Sequence, residues 1–279
     1  MLQTIKADAL SSAATNTTHL LNYISCAPLP LAFERTLECR IYSRFQFQRP
    51  ILDLGCGDGL FAKILFADKI EIGVDPNPRE LERARDLGIY EEVIQCSGDA
   101  VPKLSGSCNT IFSNSVLEHI PDLQPVLSEM HRLLAPRGKV FVTVPLDRFE
   151  DYSVINQLLT ILKLDQAAAG YRRFFNRFWK HYHCYSLKEW EQLFEKSGFR
   201  VLEAHEYDPK SICLLNDLLA PFSIVGFLCK RLTNRWTWVP WLRRLAFYPI
   251  CLIAKGFFQS VDVDKDAKGG LVFLALTKD

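Results

Sequence analysis

The sequence predicts an α/β fold in which helices cover a mostly parallel sheet. Between residues 50 and 145, short apolar runs alternate with stretches of helical spacing. The apolar runs are bounded by Gly, Pro, Asp or Asn, as strands are, and read "PILDLG", "KIEIGVD", "EVIQCSGD", "NTIFSNS" and "GKVFVTVP". Strands that alternate with helices are typical of a parallel sheet, because parallel strands need a crossover connection.

The stretches between these strands have the apolar spacing of helices. They read "GLFAKILF", "PRELERARDLG" and "LQPVLSEMHRLLAPRG", and the last two are predicted to end at their glycines. Residues 156–186 have helical propensity and are dense in aromatic and basic residues. Ser186 and Glu189 then have the spacing of a capping box, and Gly198 is the predicted end of that helix. Two strands follow, "RVLEAHEYD" and "GGLVFLALTKD", with about 60 residues between them.

Charge and cysteine content restrict the class of protein. Lys and Arg number 33 against 32 Asp and Glu, which leaves a net charge of +1. No overall field therefore attracts nucleic acid or an anionic membrane, so any such attraction has to be local. The nine cysteines include no C-x-x-C pair, which predicts reduced thiols in a cytoplasmic protein.

The most informative motif is "ILDLGCGDG", residues 51–59. Its glycines, Gly55, Gly57 and Gly59, follow Asp53 where a predicted strand meets a predicted helix. Glycine permits positive φ and the close approach of a ligand, and a helix N-terminus offers N–H groups to an anionic group. The spacing is G-x-G-x-G, whereas the dinucleotide fingerprint is G-x-G-x-x-G, which argues against a dehydrogenase.

On this motif the sequence resembles the class I S-adenosylmethionine-dependent methyltransferases, in particular those that act on small molecules. The resemblance covers residues 45–145 and, more loosely, 180–208. It implies a Rossmann-like three-layer sandwich with a mostly parallel seven-stranded sheet and an antiparallel last strand. The organisation predicted on this basis is an N-terminal helical cap at 1–48, the methyltransferase core at 49–210, an apolar and basic helical insertion at 211–260 and the last core strand at 261–279.

The resemblance also implies which residues contact the S-adenosylmethionine cofactor. Asp75 matches the acid that accepts both ribose hydroxyls, although an acid there also suits NAD. Asp99 matches the residue that accepts a hydrogen bond from the adenine amino group, with the Ala100 N–H facing the ring. Asn109 departs from the family, which commonly has aspartate at that position. The predicted cofactor residues are Asp53, Gly55, Gly57, Gly59, Asp75, Pro76, Asp99, Ala100, Asn114 and Ser115.

Methyl transfer requires alignment of the reactants and exclusion of water, and a base only where the acceptor is a hydroxyl or a protonated amine. His119 and His183 are the candidate bases, although a structural role as a cap or core hydrogen bonder competes for both. The sequence "HYHC" also offers His181, His183 and Cys184 as metal ligands. On an extended segment Cys184 points away from the two histidines and no second ligand pair follows, so no metal site is predicted.

The spacer at 211–258 is apolar and basic. Trp236, Trp238 and Trp241 are the indole side chains of an interfacial segment, and a single acid, Asp217, accompanies the bases. Its bases are Lys230, Arg231, Arg235, Arg243, Arg244 and Lys255. Prolines 221, 240 and 249 interrupt it, so no run is expected to reach the ~20 residues that cross a bilayer. Peripheral membrane contact and a soluble lid over the substrate pocket both fit this pattern.

The predicted function is S-adenosylmethionine-dependent methylation of a small-molecule or lipid-like acceptor, in the cytoplasm or at a membrane surface. Three alternatives stay open. One is a dinucleotide or nucleotide-sugar enzyme, and another is a scaffold that keeps the fold without catalysis. The third is an RNA methyltransferase, because "YRRFFNRFWKHYH" interleaves aromatics with bases, but the near-neutral charge and the lack of an RNA-binding module make nucleic acid the lesser prediction.

Overall fold

The computed structural model describes residues 19–233, 235–237, 239–249 and 268–278. The predicted interfacial Trp238 and the base Lys255 lie outside the described residues. The chain divides into two compact units. The sheet unit comprises residues 45–214 and the last strand, and the helical unit comprises the described parts of 1–44 and 215–265.

The sheet unit contains seven strands in the order β3-β2-β1-β4-β5-β7-β6. The strands are β1 (Ile51–Leu54), β2 (Ile70–Asp75), β3 (Tyr90–Gln95), β4 (Cys108–Asn114), β5 (Leu134–Pro145), β6 (Phe199–Pro209) and β7 (Gly269–Lys278). Only β7 runs antiparallel to its neighbours, for example with Phe141 opposite Ala275. The predicted mostly parallel sheet with an antiparallel last strand is confirmed.

The helices are α1 (19–26), α2 (Leu29–Tyr42), α3 (Leu60–Leu65), α4 (Pro78–Leu87), α5 (Leu123–Leu133), α6 (Val154–Ile161), α7 (Asp165–Trp179), α8 (Leu187–Lys196), α9 (Lys210–Leu219), α10 (Ile224–Thr233) and α11 (240–249). Short 3₁₀ turns follow β4 at Leu117–His119, precede α6 at Glu150–Tyr152 and join α9 to α10 at Ala220–Ser223.

The sheet buries a different kind of side chain on each face. On one face, aliphatic side chains such as Leu52 and Val142 pack with Met130 of α5 and Trp190 of α8. The other face is aromatic and contains Phe45, Phe47, Phe66, Phe112, Phe141 and Phe273. Consecutive strand residues point to opposite faces, so Val140 and Val142 of β5 join the aliphatic layer and Phe141 between them joins the aromatic layer.

Several predicted helix ends are confirmed and others are wrong. Gly88 ends α4 at φ 63°, and Ser186 forms the capping box of α8 with Glu189. Gly138 does not end α5: the helix stops at Leu133 and β5 begins at the next residue, so Gly138 lies within a strand. The aromatic and basic stretch forms two helices, α6 and α7, with Lys163 at positive φ between them.

The α-helix ends just before Pro221, as predicted, but the expectation that no run here reaches ~20 residues is wrong. Pro221 lies in the first turn of a 3₁₀ helix, where its missing N–H costs no hydrogen bond, so the helical path continues from α9 into α10. Residues 210–233 thus form one run of 24 residues that is long and apolar enough to cross a membrane by length and composition alone.

In the helical unit, α1 and α2 belong with the spacer. Arg243 of α11 donates from Nε to the Ile24 carbonyl at 2.7 Å and from Nη2 to the Ala27 carbonyl at 2.9 Å. Pro28 lies 3.2 Å from the position that a Cβ on Gly226 would take. The sequence treated the N-terminal cap and the insertion as separate parts, whereas the structure groups them in one compact unit.

Candidate functional site

The glycine loop connects β1 to α3 at the carboxyl ends of the parallel strands, where open α/β sheets bind their ligands. Gly55, Gly57 and Gly59 all have positive φ, at 81°, 52° and 76°. The N–H groups of Gly55 and Cys56 both donate to the Val74 carbonyl, at 2.8 and 2.9 Å. Two bonds to one carbonyl fold the loop tightly against the end of β2.

The loop presents space to a ligand, whereas the sequence predicted free N–H donors at a helix N-terminus. Gly57 N–H donates to Asp75 Oδ2 at 3.0 Å, Gly59 N–H to the Cys56 carbonyl at 2.9 Å, and Leu60 N–H to Asp58 Oδ1 at 3.2 Å. The short helix α3 begins after these residues. These three donors are engaged inside the protein and have little to offer an anionic group, so the expectation of unpaired donors does not hold for them.

The three glycines are required for different reasons. A Cβ on Gly55 would lie 2.5 Å from Val116 Cγ1, and one on Gly59 would lie 3.0 Å from the Tyr90 ring. A Cβ on Gly57 would meet no protein atom within 4 Å. Gly55 and Gly59 therefore serve packing, whereas the open space at Gly57 fits the close approach of an S-adenosylmethionine molecule.

Asp75 ends β2 beside this loop. Its Oδ2 accepts from Gly57 N–H, and its Oδ1 accepts from Asn77 N–H at 2.8 Å. Burial raises the pKa of Asp75, and these two backbone bonds oppose that rise. Each carboxylate oxygen keeps a second lone pair, so the side chain can hold the loop and still accept from ribose hydroxyls, as the resemblance implies. Pro76 follows it and is exposed.

Asp53 lies behind the loop. Its carboxylate is buried and accepts a hydrogen bond from the Tyr90 hydroxyl at 2.6 Å. Burial raises the pKa of Asp53 to about 7; the Tyr90 bond lowers it and nearby Asp75 raises it. The same Tyr90 ring packs close to Gly59 and Gly73. The contact to Tyr90 thus joins Asp53, β3 and the loop in one packed group that the motif alone did not predict.

The predicted adenine contacts occupy the turn after β3. Asp99 and Ala100 are exposed at the same edge of the sheet as the loop. The Ala100 N–H donates to the Ser97 carbonyl at 3.2 Å, so this donor is used within the turn. The side chain of Asp99 stays a predicted acceptor for an adenine amino group.

Asn114 ends β4, the neighbour of β1, and Ser115 follows it. Thr143 Oγ1 donates to Asn114 Oδ1 at 2.9 Å, and Ser115 N–H lies 3.0 Å from Thr143 Oγ1. Ser115 has φ 53°, an uncommon conformation for a residue other than glycine. This sharp turn directs the chain into the 3₁₀ turn that contains His119.

Both ring nitrogens of His183 are engaged. Nε2 lies 2.9 Å from the Ile120 carbonyl and Nδ1 lies 2.8 Å from the Tyr185 hydroxyl. A carbonyl only accepts, so Nε2 carries the proton and Nδ1 accepts from Tyr185. In this conformation His183 presents no open nitrogen to an acceptor, and its predicted role as a base requires Tyr185 to move.

His119 lies in a different group of side chains. Its Nδ1 is 3.2 Å from the Lys180 carbonyl, its Nε2 is 3.8 Å from Glu118 Oε1, and its ring centroid is 5.3 Å from that of His181. Burial lowers the pKa of His181 to about 4, and the like charge that His119 carries when protonated adds a smaller lowering. The sequence does not reveal this group, because about 60 residues separate His181 from Glu118 and His119 and no local motif joins them.

The "HYHC" residues themselves separate. Cys184 Sγ donates to Asn176 Oδ1 at 3.6 Å, His183 bonds Ile120, and His181 packs on His119.

Comparisons with known proteins agree with this fold. Residues 32–204 match the family model described as a methyltransferase domain. Over 91 residues the chain is 34% identical to an uncharacterized methyltransferase of Mycobacterium sp. (strain KMS), a match that covers 32% of this chain and 36% of that protein. The chain thus spans only about a third of the length of that relative.

Solved structures share the fold at low sequence identity. A Thermotoga maritima S-adenosylmethionine-dependent methyltransferase, described as a possible histamine N-methyltransferase, has a TM-score of 0.54 at 16% identity and covers 94% of this chain and 100% of that one. The Haemonchus contortus phosphoethanolamine N-methyltransferase 2 in complex with S-adenosyl-L-methionine has a TM-score of 0.51 at 20% identity, with 88% and 52% covered. With a family match over more than half of its length and this sheet order, the chain belongs to the class I S-adenosylmethionine-dependent methyltransferases.

Proposed function

We propose that this chain transfers a methyl group from S-adenosylmethionine to a hydrophobic, lipid-like acceptor at a membrane surface. Family membership and the open space at Gly57 support the cofactor. The acceptor is supported by one observation above all: the described part of the helical unit exposes large apolar side chains together with bases. Phe222 is 76% exposed, Leu232 80% and Trp241 70%.

The helical unit exposes more large apolar side chains than the isolated ones of an ordinary protein surface. They are Leu218, Phe222, Ile224, Val225, Phe227, Leu228, Leu232, Val239, Trp241, Leu242, Leu245 and Tyr248. Arg231, Arg235 and Arg244 are exposed along the same stretch. Apolar and indole surface with interspersed cations is what an interfacial segment presents to acyl chains and lipid phosphates.

The sheet unit exposes a second apolar surface on α6 and α7. Ile161 is 75% exposed, and Leu158, Leu162 and Leu164 are also exposed. Toward its C-terminal end, α7 exposes Arg173, Phe174, Arg177, Phe178 and Trp179. Nucleobases stack on aromatic rings, whereas acyl chains accept aliphatic and aromatic side chains alike. The aliphatic half of this surface therefore favours lipid over RNA.

Label transfer tests the acceptor. The full chain is incubated with S-adenosylmethionine labelled in its methyl group and with total lipid extract or aqueous metabolite extract. We expect label in the lipid fraction, and markedly less there with Gly57→Ala at the same low cofactor concentration, because this variant places a methyl group in the open space of the loop. Label confined to water-soluble products would replace the lipid acceptor by a polar one.

Vesicle sedimentation tests the surface. The full chain should sediment with vesicles that contain anionic lipid, and Leu232→Ala combined with Trp241→Ala should reduce the bound fraction. Alkaline carbonate should release the protein, because peripheral proteins are released and spanning ones are not. Retention in the membrane after carbonate would indicate that residues 210–233 span it, which their length and composition permit.

A further inference from the structure

The group formed by Glu118, His119 and His181 has the composition of a metal site. One ligand atom from each residue lies within 4.8 Å of the other two. Two imidazole nitrogens and one carboxylate oxygen form the ligand set of open zinc sites, which leave a further position for water or substrate. We propose that these three side chains bind a divalent transition-metal ion, with Zn²⁺ the best match to the ligand types.

The orientation of His119 supports this assignment. Its Nδ1 is 3.2 Å from the Lys180 carbonyl, which can only accept, so Nδ1 carries the proton. The lone pair of Nε2 then faces Glu118 Oε1, 3.8 Å away. A histidine that binds a metal usually donates its other ring N–H to a carbonyl or carboxylate, which fixes the tautomer and the ring.

The backbone holds His181 in place. Lys180 ends α7 at φ 57°, and this turn brings the next residue to the 3₁₀ turn at Leu117–His119. The His181 N–H donates to the Asn176 carbonyl at 2.8 Å, and the Tyr182 N–H donates to the Glu118 carbonyl at 2.8 Å. The second bond ties the two segments together directly beside the proposed ligands.

A buried ring nitrogen of His181 also supports the proposal. Within the described residues, its buried Nδ1 has no hydrogen-bond partner. The ring packs against His119 and Phe149. Buried polar atoms in folded proteins are nearly always satisfied, and a metal ion in this group would satisfy the ring of His181.

The site lies close to the glycine loop. Val116, two residues before Glu118, occupies the space that a Cβ on Gly55 would need. An ion here would hold an acceptor oxygen near the predicted cofactor position and act on it as a Lewis acid. That role depends on the proposed methyltransferase function, whereas the binding of the ion does not.

Zinc titration of the full chain in competition with a chromophoric chelator tests the site. We expect one tight equivalent per chain, and binding weaker by about 100-fold or more in His119→Ala and in His181→Ala, since loss of even an outer-shell partner costs 10–100-fold. His205→Gln is the matched control, because within the part of the chain that the structure describes His205 pairs with a single acid, Glu203 on β6. No tight equivalent in the wild type, or equal binding by the site variants and the control, would overturn the proposal.

A second measurement needs no variant and covers the case in which the substitutions unfold the protein. Co²⁺ bound by two imidazoles, a carboxylate and water should show intense visible bands, as four- and five-coordinate cobalt does. Only the weak bands of six-coordinate aqueous cobalt would overturn the site. Calorimetry with S-adenosylhomocysteine on the same samples tests the proposed function independently, because cofactor binding and metal binding are read out separately.

Discussion

At the scale of single residues, Gly57 and Gly88 can be compared directly, because their backbone conformations and surroundings are alike. Both have positive φ, at 52° and 63°, and a Cβ on either would meet no protein atom within 4 Å. Alanine at either position should cost about 1–2 kcal/mol of unfolding free energy, the penalty of a left-handed backbone for an L-residue. Only Gly57→Ala places its methyl group in the loop, so only this variant should bind S-adenosylhomocysteine about tenfold or more weakly by calorimetry.

Equal affinity of the two variants for S-adenosylhomocysteine would show that the space at Gly57 is not the cofactor site. Gly55 is a poor choice for this test, because its Cβ would collide with Val116 and disturb the loop whether or not a ligand binds there.

Asp53 should make stability depend on pH. Its folded-state pKa of about 7 lies above the ordinary value of 3.8, so the folded state binds the proton more tightly than the unfolded chain. The stability that this proton contributes is full at low pH and is lost as pH rises from about 4 to about 7. Relative to Asp53→Asn, the wild type should lose on the order of 1.4 kcal/mol of unfolding free energy per pH unit in that window.

Urea unfolding of the wild type and of Asp53→Asn, at several pH values from about 4 to about 7, measures this difference in unfolding free energy. The other titrating groups are common to both proteins, so their contributions cancel. Tyr90→Phe removes the hydrogen bond that lowers the pKa of Asp53, so its window should extend to higher pH. Parallel pH profiles of wild type and Asp53→Asn would contradict the assignment.

At the scale of elements, neighbouring arginines on α11 have opposite roles. Arg243 is half-buried and bonds the Ile24 and Ala27 carbonyls, whereas Arg244 is exposed. Arg243→Ala should lower the unfolding free energy by about 1–3 kcal/mol, because it leaves two carbonyls that had charged donors. Arg244→Ala should stay within about 0.5 kcal/mol of the wild type.

Chemical denaturation of the two variants tests this contrast. Similar losses would mean that the bonds from Arg243 do not hold α11 to the N-terminal segment. The sequence groups Arg243 with the other bases of the spacer, whereas in the structure Arg243 bonds two backbone carbonyls of the N-terminal segment.

At the scale of the whole molecule, the net charge of +1 is too small to attract a membrane, so the proposed attraction must be local. Arg244→Glu and Arg79→Glu change the net charge equally, and both side chains are exposed. Only Arg244 lies on the helical unit. Arg244→Glu should weaken binding to anionic vesicles by more than about fivefold, because loss of the base alone costs ~1 kcal/mol near the surface and the new acid adds repulsion, whereas Arg79→Glu on α4 should bind as the wild type does.

Sedimentation at rising salt completes this test. Binding to anionic vesicles should weaken near 1 M salt, because the Debye length there is about 3 Å and the charges are screened. Part of the protein should stay bound, because salt does not screen the contacts of the apolar side chains. Equal effects of the two charge reversals would mean that overall charge, and not this surface, controls binding.

The sequence by itself determined the sheet and the glycine loop of this protein. Both depend on local chemistry: β-branched runs favour strands, and the spacing of Gly55, Gly57 and Gly59 permits the positive φ that the loop adopts. The capping box of Ser186 and Glu189 is likewise readable within four residues. The helix end assigned to Gly138 failed because pairing of β5 with β4 and β7 outweighs the local turn preference of glycine.

Only the tertiary structure decided which distant residues meet. It joined Glu118 and His119 to His181, placed Tyr90 on Asp53, and grouped α1 and α2 with the spacer through Arg243. It also engaged both nitrogens of His183, a candidate base by sequence. Such contacts depend on how the elements pack, and side chains far apart along the chain carry no periodic signal that reveals them.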